Sequence, residues 1–174
     1  YTGDGRGKSP AAIGRAVQAA VEGKRVVIIQ FLKGKGLGDS DFLRRMEPEI
    51  KLFRFEKSDG NFVELPEEKK QEEIQNIRNG IGFAKKVLTT GECDLLILDD
   101  LGTEMTTAFV QSALYQLLNS RLLAGRSTII STNLDPDQIG RRYSAQIMSR
   151  LEGEFELLPF IGQDIRRLKR EQQR

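Results

Sequence analysis

Residues 1–9 read Y-T-G-D-G-R-G-K-S, and residues 94–104 read D-L-L-I-L-D-D-L-G-T-E. The general phosphate-loop pattern is Gly, four residues, then Gly-Lys-Ser/Thr. Here Gly7-Lys8-Ser9 is complete, and Thr2 stands where the first glycine is expected. Gly3, Gly5 and Gly7 permit backbone angles closed to other residues, so the N–H groups from Gly3 through Asp4, Gly5, Arg6 and Gly7 can turn inward around phosphate oxygens. Lys8 then supplies a point charge and Ser9 a hydroxyl for Mg²⁺. Both stand at the start of a helix whose positive end favours an anion. Pro10 would break a helix interior but is harmless in a first turn, where its missing N–H has no partner to lose.

The second stretch places Asp99 and Asp100 directly after the apolar run Leu95–Leu98. That is the carboxyl end of a buried strand, where open α/β sheets put their ligands. Beside a phosphate loop, Asp99 is expected to hold Mg²⁺ through its water shell and Asp100 to polarise or deprotonate an attacking water. The plainer alternative is a surface turn with two solvated aspartates. A further apolar run ends in Ser131-Thr132-Asn133, so the Asn133 amide is expected beside the same site; taken alone, it would be a turn residue.

Outward from these stretches, apolar runs at 26–31, 50–55, 95–98, 128–131 and 155–158 read as strands. Helix-like segments at 9–22, 67–90, 106–124 and 137–150 alternate with them. The alternation predicts one α/β domain over residues 1–174, three layers deep, with a mainly parallel sheet. Gly34–Gly38 reads as a connecting loop, and the mixed charges of 67–73 as an exposed helix face. Only Tyr1 and Thr2 precede Gly3; in both families that the chain resembles, described below, a central strand leads into the loop, and the resemblance implies that here it is missing or truncated. Its expected place is between the Asp99 strand and a neighbour.

Composition narrows the chemistry. One cysteine and no histidine among 174 residues exclude a disulfide, a Cys/His zinc site, a Cys–His pair and a Ser-His-Asp triad. Carboxylates, Lys, Arg and backbone amides remain. With 27 basic against 25 acidic residues, the net charge of +2 gives the whole fold no strong pull on nucleic acid or membrane. Arg166, Arg167, Lys169, Arg170 and Arg174 concentrate positive charge in the tail, as a solvated face or a phosphate contact. No apolar run has membrane-spanning length and no signal peptide opens the chain, so a cytoplasmic protein is expected.

Two resemblances meet at the Asp99 strand. Y-T-G-D-G-R-G-K-S-P-A-A-I-G-R-A, R-V-V-I-I-Q-F-L-K-G and K-L-F-R-F resemble the P-loop corrinoid (cobalamin) adenosyltransferases, from residue 1 to about Asp99. That family shares the loop with Thr in place of the first Gly, and transfers the 5′-deoxyadenosyl group of ATP to a reduced corrinoid cobalt, leaving triphosphate. The resemblance assigns Gly5, Gly7, Lys8 and Ser9 to the phosphates and Asp99 to the metal. From about Asp94 onward, D-L-L-I-L-D-D-L-G-T-E, L-Y-Q-L-L-N-S-R-L, T-I-I-S-T-N-L, R-Y-S-A-Q-I-M-S-R-L and F-I-G-Q-D-I-R-R are similar to the bacterial replicative-helicase loader, an AAA+ ATPase. That likeness implies that Asn133 is a sensor residue, that Arg150 is an arginine finger acting on a neighbouring subunit, and that Arg166 is a second sensor.

The chain therefore reads as a composite P-loop NTPase fold joined near 94–104. Three functions follow. ATP·Mg²⁺ binding with hydrolysis stands first, because the phosphate loop, Asp99, Asp100 and Asn133 together suffice for it. Adenosyl transfer from ATP to a corrinoid is the second. The third is a non-enzymatic nucleotide-dependent module that assembles with itself, a helicase or DNA.

Overall fold

The computed structural model describes residues 1–3, 7–30, 45–54, 66–89, 91, 93–102 and 107–161. In chain order these form α1 (Lys8–Val21), β1 (Val26–Gln30), β2 (Ile50–Arg54), α2 (Glu67–Thr89), β3 (Leu95–Leu101), α3 (Ala108–Leu123), β4 (Ser127–Thr132), α4 (Pro136–Arg142) and α5 (Ala145–Glu154). The strands make one parallel sheet in the order β2-β1-β3-β4. The fold is α/β, as the alternation of elements predicts. The Gly34–Gly38 loop and the basic tail lie outside the described residues.

Strand alternation divides the core in two, because successive side chains point to opposite faces. Val26 and Ile28 of β1 and Leu95 and Ile97 of β3 pack with Ala12, Ala16 and Ala19 of α1. Val27, Ile29, Leu96 and Leu98 face the other way, onto Leu114, Leu118, Ile139, Ile147 and Leu151 of α3, α4 and α5. Alanines along α1 let that helix lie close to the sheet. The central strands are buried on both faces, which is why they read as continuous apolar runs.

Three expectations are corrected. The helix expected over 137–150 is two helices. Ser144 Oγ accepts from Ile147 N–H and starts α5 afresh, while Asp135 and Gln138 form a capping box on α4. The strand expected over 155–158 forms no ladder; residues near it make one isolated bridge, Thr2 to Pro159.

The third correction concerns Tyr1 and Thr2. They lie beyond β4, not beside the Asp99 strand. The Tyr1 backbone nitrogen donates to Ile130 O (2.7 Å), and Thr132 N–H donates to Tyr1 O (2.9 Å). Thr2 N–H donates to Leu158 O (3.1 Å), and Phe160 N–H to Thr2 O (2.8 Å). These two residues thus occupy the slot between β4 and 158–160. In line with them, a groove of about 640 Å³ is lined by Ser127, Thr128 and Ile130 of β4 and by Phe155, Leu157 and Leu158.

Candidate functional site

The phosphate loop leads into α1 as its glycines require. Gly3 has φ +95° and Gly7 φ +106°, both in the left-handed region that favours glycine. A Cβ on Gly3 would also stand 2.8 Å from Phe160 O. Gly7 is the N-cap of α1 and carries no capping side chain, and Lys8, Ser9 and Pro10 form the first turn. Lys8 is buried, 6% exposed, and its Nζ donates to Gly3 O at 2.5 Å. Phe160 packs its ring on Tyr1, centroids 5.1 Å apart, and so braces the loop's entry. Asp4, Gly5 and Arg6 lie outside the described residues.

At the carboxyl end of the sheet, alternation aims three polar residues at the face that carries α1. Asp99 follows Leu95 and Ile97, Gln30 follows Val26 and Ile28, and Ser131 follows Ser127 and Ile129. All three are buried, at 1%, 3% and 0% exposure. Gln30 and Asp99 are register partners, and Gln30 Nε2 donates to Asp99 Oδ2 (2.9 Å). Ser131 Oγ donates to Asp99 Oδ1 (2.5 Å) and accepts from Asp100 N–H (3.0 Å). Asp100 itself is half-buried with φ +59°, a left-handed backbone at a non-glycine residue, where the β3–β4 register shifts between Leu98 and Leu101.

Sequence reasoning missed Gln30 and Ser131. The signal was available in part: the two-residue period places both on the face of Asp99. Asn133, which the sequence pattern puts beside the site, lies exposed, one residue past the end of β4. Its neighbour Thr132 is the buried one; Thr132 Oγ1 donates to Leu101 O (2.6 Å) and accepts from Leu134 N–H (3.1 Å). Arg150, on α5, is held by its own chain. Its guanidinium lies 4.3 Å from the Tyr115 ring centre and donates to Tyr115 Oη (2.7 Å), Asn119 Oδ1 (3.1 Å) and Gln146 O (3.2 Å). Arg166 lies outside the described residues.

The sequence model of the ATP:corrinoid adenosyltransferase BtuR/CobO/CobP family matches residues 1–132, from the loop through β4. The chain belongs to that family. The adenosyltransferase match extends past Asp99, where the sequence reading ended it, and takes in Asp100, Ser131 and Thr132. A corrinoid adenosyltransferase of Pseudomonas aeruginosa is 25% identical over 112 residues, 64% of this chain and 53% of its own length. One from Escherichia coli K12 is 29% identical over 102 residues, 58% of this chain and 49% of its own. The chain thus spans about half the length of these adenosyltransferases.

Among solved structures, AMPPCP-bound DnaA from Aquifex aeolicus aligns with a TM-score of 0.49 at 22% identity, over 88% of this chain and 37% of DnaA. The DnaC helicase loader aligns with a TM-score of 0.41 at 16% identity, over 92% and 94%. Both scores are below 0.5, so the loader-like expectations for Arg150 and Arg166 rest on sequence pattern.

The donors that the sequence assigns to this site suit Mg²⁺. The Asp99 carboxylate and the Ser9 hydroxyl are hard oxygen donors, the kind that Mg²⁺ takes in small number beside phosphates and water. No group of three or more His, Cys, Asp or Glu side chains forms a metal site among the described residues. Nor is any helix among them long and apolar enough to cross a membrane.

Proposed function

We propose that this chain binds ATP·Mg²⁺ and supplies its 5′-deoxyadenosyl group to a reduced corrinoid, leaving triphosphate. The observation that carries this reading is the family match over residues 1–132, which includes the loop, the Asp99 strand and β4 in one sheet. It reverses the order in which composition and motifs alone rank the functions, where hydrolysis stands first. Residues 1–174 act in this reading as one nucleotide-binding domain. The two sequence patterns meet at β3, which pairs with β1 on one side and β4 on the other.

Transfer and hydrolysis ask different things of the same residues. In transfer, a cobalt–carbon bond forms at C5′, the C5′–O bond breaks, and its electron pair leaves with the triphosphate. Lys8 and the loop amides then stabilise a leaving group, and no water needs activation. Bound Mg²⁺ would add charge compensation on the same oxygens, held by Ser9 and Asp99. In hydrolysis the phosphorus is attacked, and Asp100 is the group that would polarise water. The left-handed backbone of Asp100 favours keeping that second reading, since such conformations cluster at active sites.

The test is to incubate the protein with ATP·Mg²⁺, with and without reduced corrinoid, and to resolve the phosphate products. Corrinoid-dependent triphosphate with a matching yield of adenosylated corrinoid is expected. ADP and phosphate formed regardless of corrinoid would establish hydrolysis instead.

A further inference from the structure

We propose that Ser131 is a positioning residue that sets both site aspartates with one hydroxyl. The proposal rests on the reading of Asp99 as the residue that holds Mg²⁺ on bound nucleotide. Ser131 Oγ donates its only proton to Asp99 Oδ1 (2.5 Å) and with one of its two lone pairs accepts from Asp100 N–H (3.0 Å). The first bond orients the carboxylate. The second holds the left-handed backbone of Asp100, φ +59°, at the point where β3 and β4 lose register. With Gln30 Nε2 on the other oxygen at 2.9 Å, the Asp99 carboxylate is fixed in its plane from both neighbouring strands.

The physical reason is preorganisation. An ionised carboxylate has about four lone-pair directions. Gln30 and Ser131 take two of these as neutral donors, and so fix the direction of the carboxylate without themselves adding a positive charge to it. Ser131 is wholly buried, so water cannot replace its hydroxyl at low cost. Removing it leaves Asp100 N–H without this partner and frees the Asp99 carboxyl to rotate. Partners one layer outside a metal's ligands typically change metal affinity by about 10–100-fold.

The variants are Ser131→Ala, Ser131→Thr, which keeps the hydroxyl, and Asp99→Asn as the reference. Mn²⁺ serves as the metal probe. Its binding to the protein–ATP complex is followed by electron paramagnetic resonance, and ATP affinity in EDTA is measured by calorimetry. Ser131→Ala is expected to weaken Mn²⁺ binding by roughly tenfold while metal-free ATP affinity stays within about twofold, and Ser131→Thr is expected to recover most of the loss. If Ser131→Ala does not fold, Ser131→Cys keeps the buried volume with a weak S–H donor, and the same selective loss of Mn²⁺ affinity is expected. Parental Mn²⁺ affinity in Ser131→Ala, or in Ser131→Cys where that variant stands in for it, together with a loss in Asp99→Asn, would overturn the role of Ser131 alone. Parental Mn²⁺ affinity in Asp99→Asn would overturn the underlying reading of the site. Equal losses of metal-free and metal-dependent binding in Ser131→Ala would reduce the hydroxyl to a general structural contact.

Discussion

Asp94 and Asp99 stand at opposite ends of β3, and the fold treats them in opposite ways. Asp94 meets cations. Its Oδ1 accepts from Arg126 Nη1 (2.5 Å), and its Oδ2 accepts from Arg25 N–H (3.0 Å) with Arg25 Nε at 3.6 Å. Beside it the Arg121 guanidinium, 4% exposed, donates to Ser127 O (2.5 Å), Thr128 Oγ1 (2.8 Å), Asp94 O (3.1 Å) and Cys93 O (3.3 Å). Asp99 instead accepts from an amide and a hydroxyl, which position a carboxylate without neutralising it. The amino end of the sheet is a charge-matched clamp between turns. At the carboxyl end, an amide and a hydroxyl from the two neighbouring strands orient a buried carboxylate. Two aspartates on one strand are thus held by different donors, one by guanidinium and backbone groups, the other by a serine and a glutamine from the strands beside it.

The sharpest way to break this comparison is at Lys8. Lys8→Ala is expected to lower ATP affinity by roughly 10–100-fold, the worth of about 1.5–3 kcal/mol for a hydrogen bond to a charged group. Calorimetric titration checks it, and equal affinity in parent and variant would move the anion site elsewhere.

At the other end, Arg121→Met should act on stability alone. It strips hydrogen bonds from three backbone carbonyls at once, a loss of about 2–4 kcal/mol. At roughly 2–4 °C per kcal/mol for a domain of this size, the unfolding midpoint should fall by about 5–15 °C. ATP affinity measured below the transition should not change; if it does, the two ends are coupled.

Asp94→Asn comes next. Its carboxyl is held below its ordinary 3.8, chiefly by the Arg25 backbone N–H, with the charges of Arg25 and Arg126 adding to it and partial burial opposing it. A depressed folded value means that the contribution is complete above the unfolded pKa and is lost as pH falls through the folded one. The stability difference between parent and Asp94→Asn should therefore be about 1 kcal/mol near neutrality, given its partial exposure. Denaturant titrations below pH 4 should show the gap closing. A gap independent of pH would mean that the carboxyl's charge contributes nothing.

The smallest effect is expected at Arg150. Arg150→Ala removes the stacking on Tyr115 and should cost about 0.5–1 kcal/mol of stability. Product formed per molecule should stay independent of protein concentration in both proteins. Activity that rises with concentration in the parent and is lost in the variant would place Arg150 on a neighbouring copy's site, as its sequence context suggests.

The sequence determined those features that depend on neighbours in the chain. Gly3 and Gly7 fix the turns of the phosphate loop because few other residues accept φ near +100°, and Lys8 and Ser9 follow at the helix start. The apolar runs specify buried parallel strands, and the two-residue period fixes which face Asp99 occupies. Tertiary structure alone decided what meets Asp99, because Gln30 lies 69 residues from it and Ser131 lies 32, and register between parallel strands is set by distant packing. The same non-local pairing set the backbone of Asp100, left Asn133 in solvent, and put Tyr1 and Thr2 between β4 and residues 158–160. Each of those outcomes depends on hydrogen bonds between segments far apart in the chain, and such bonds leave no periodic signal within either segment.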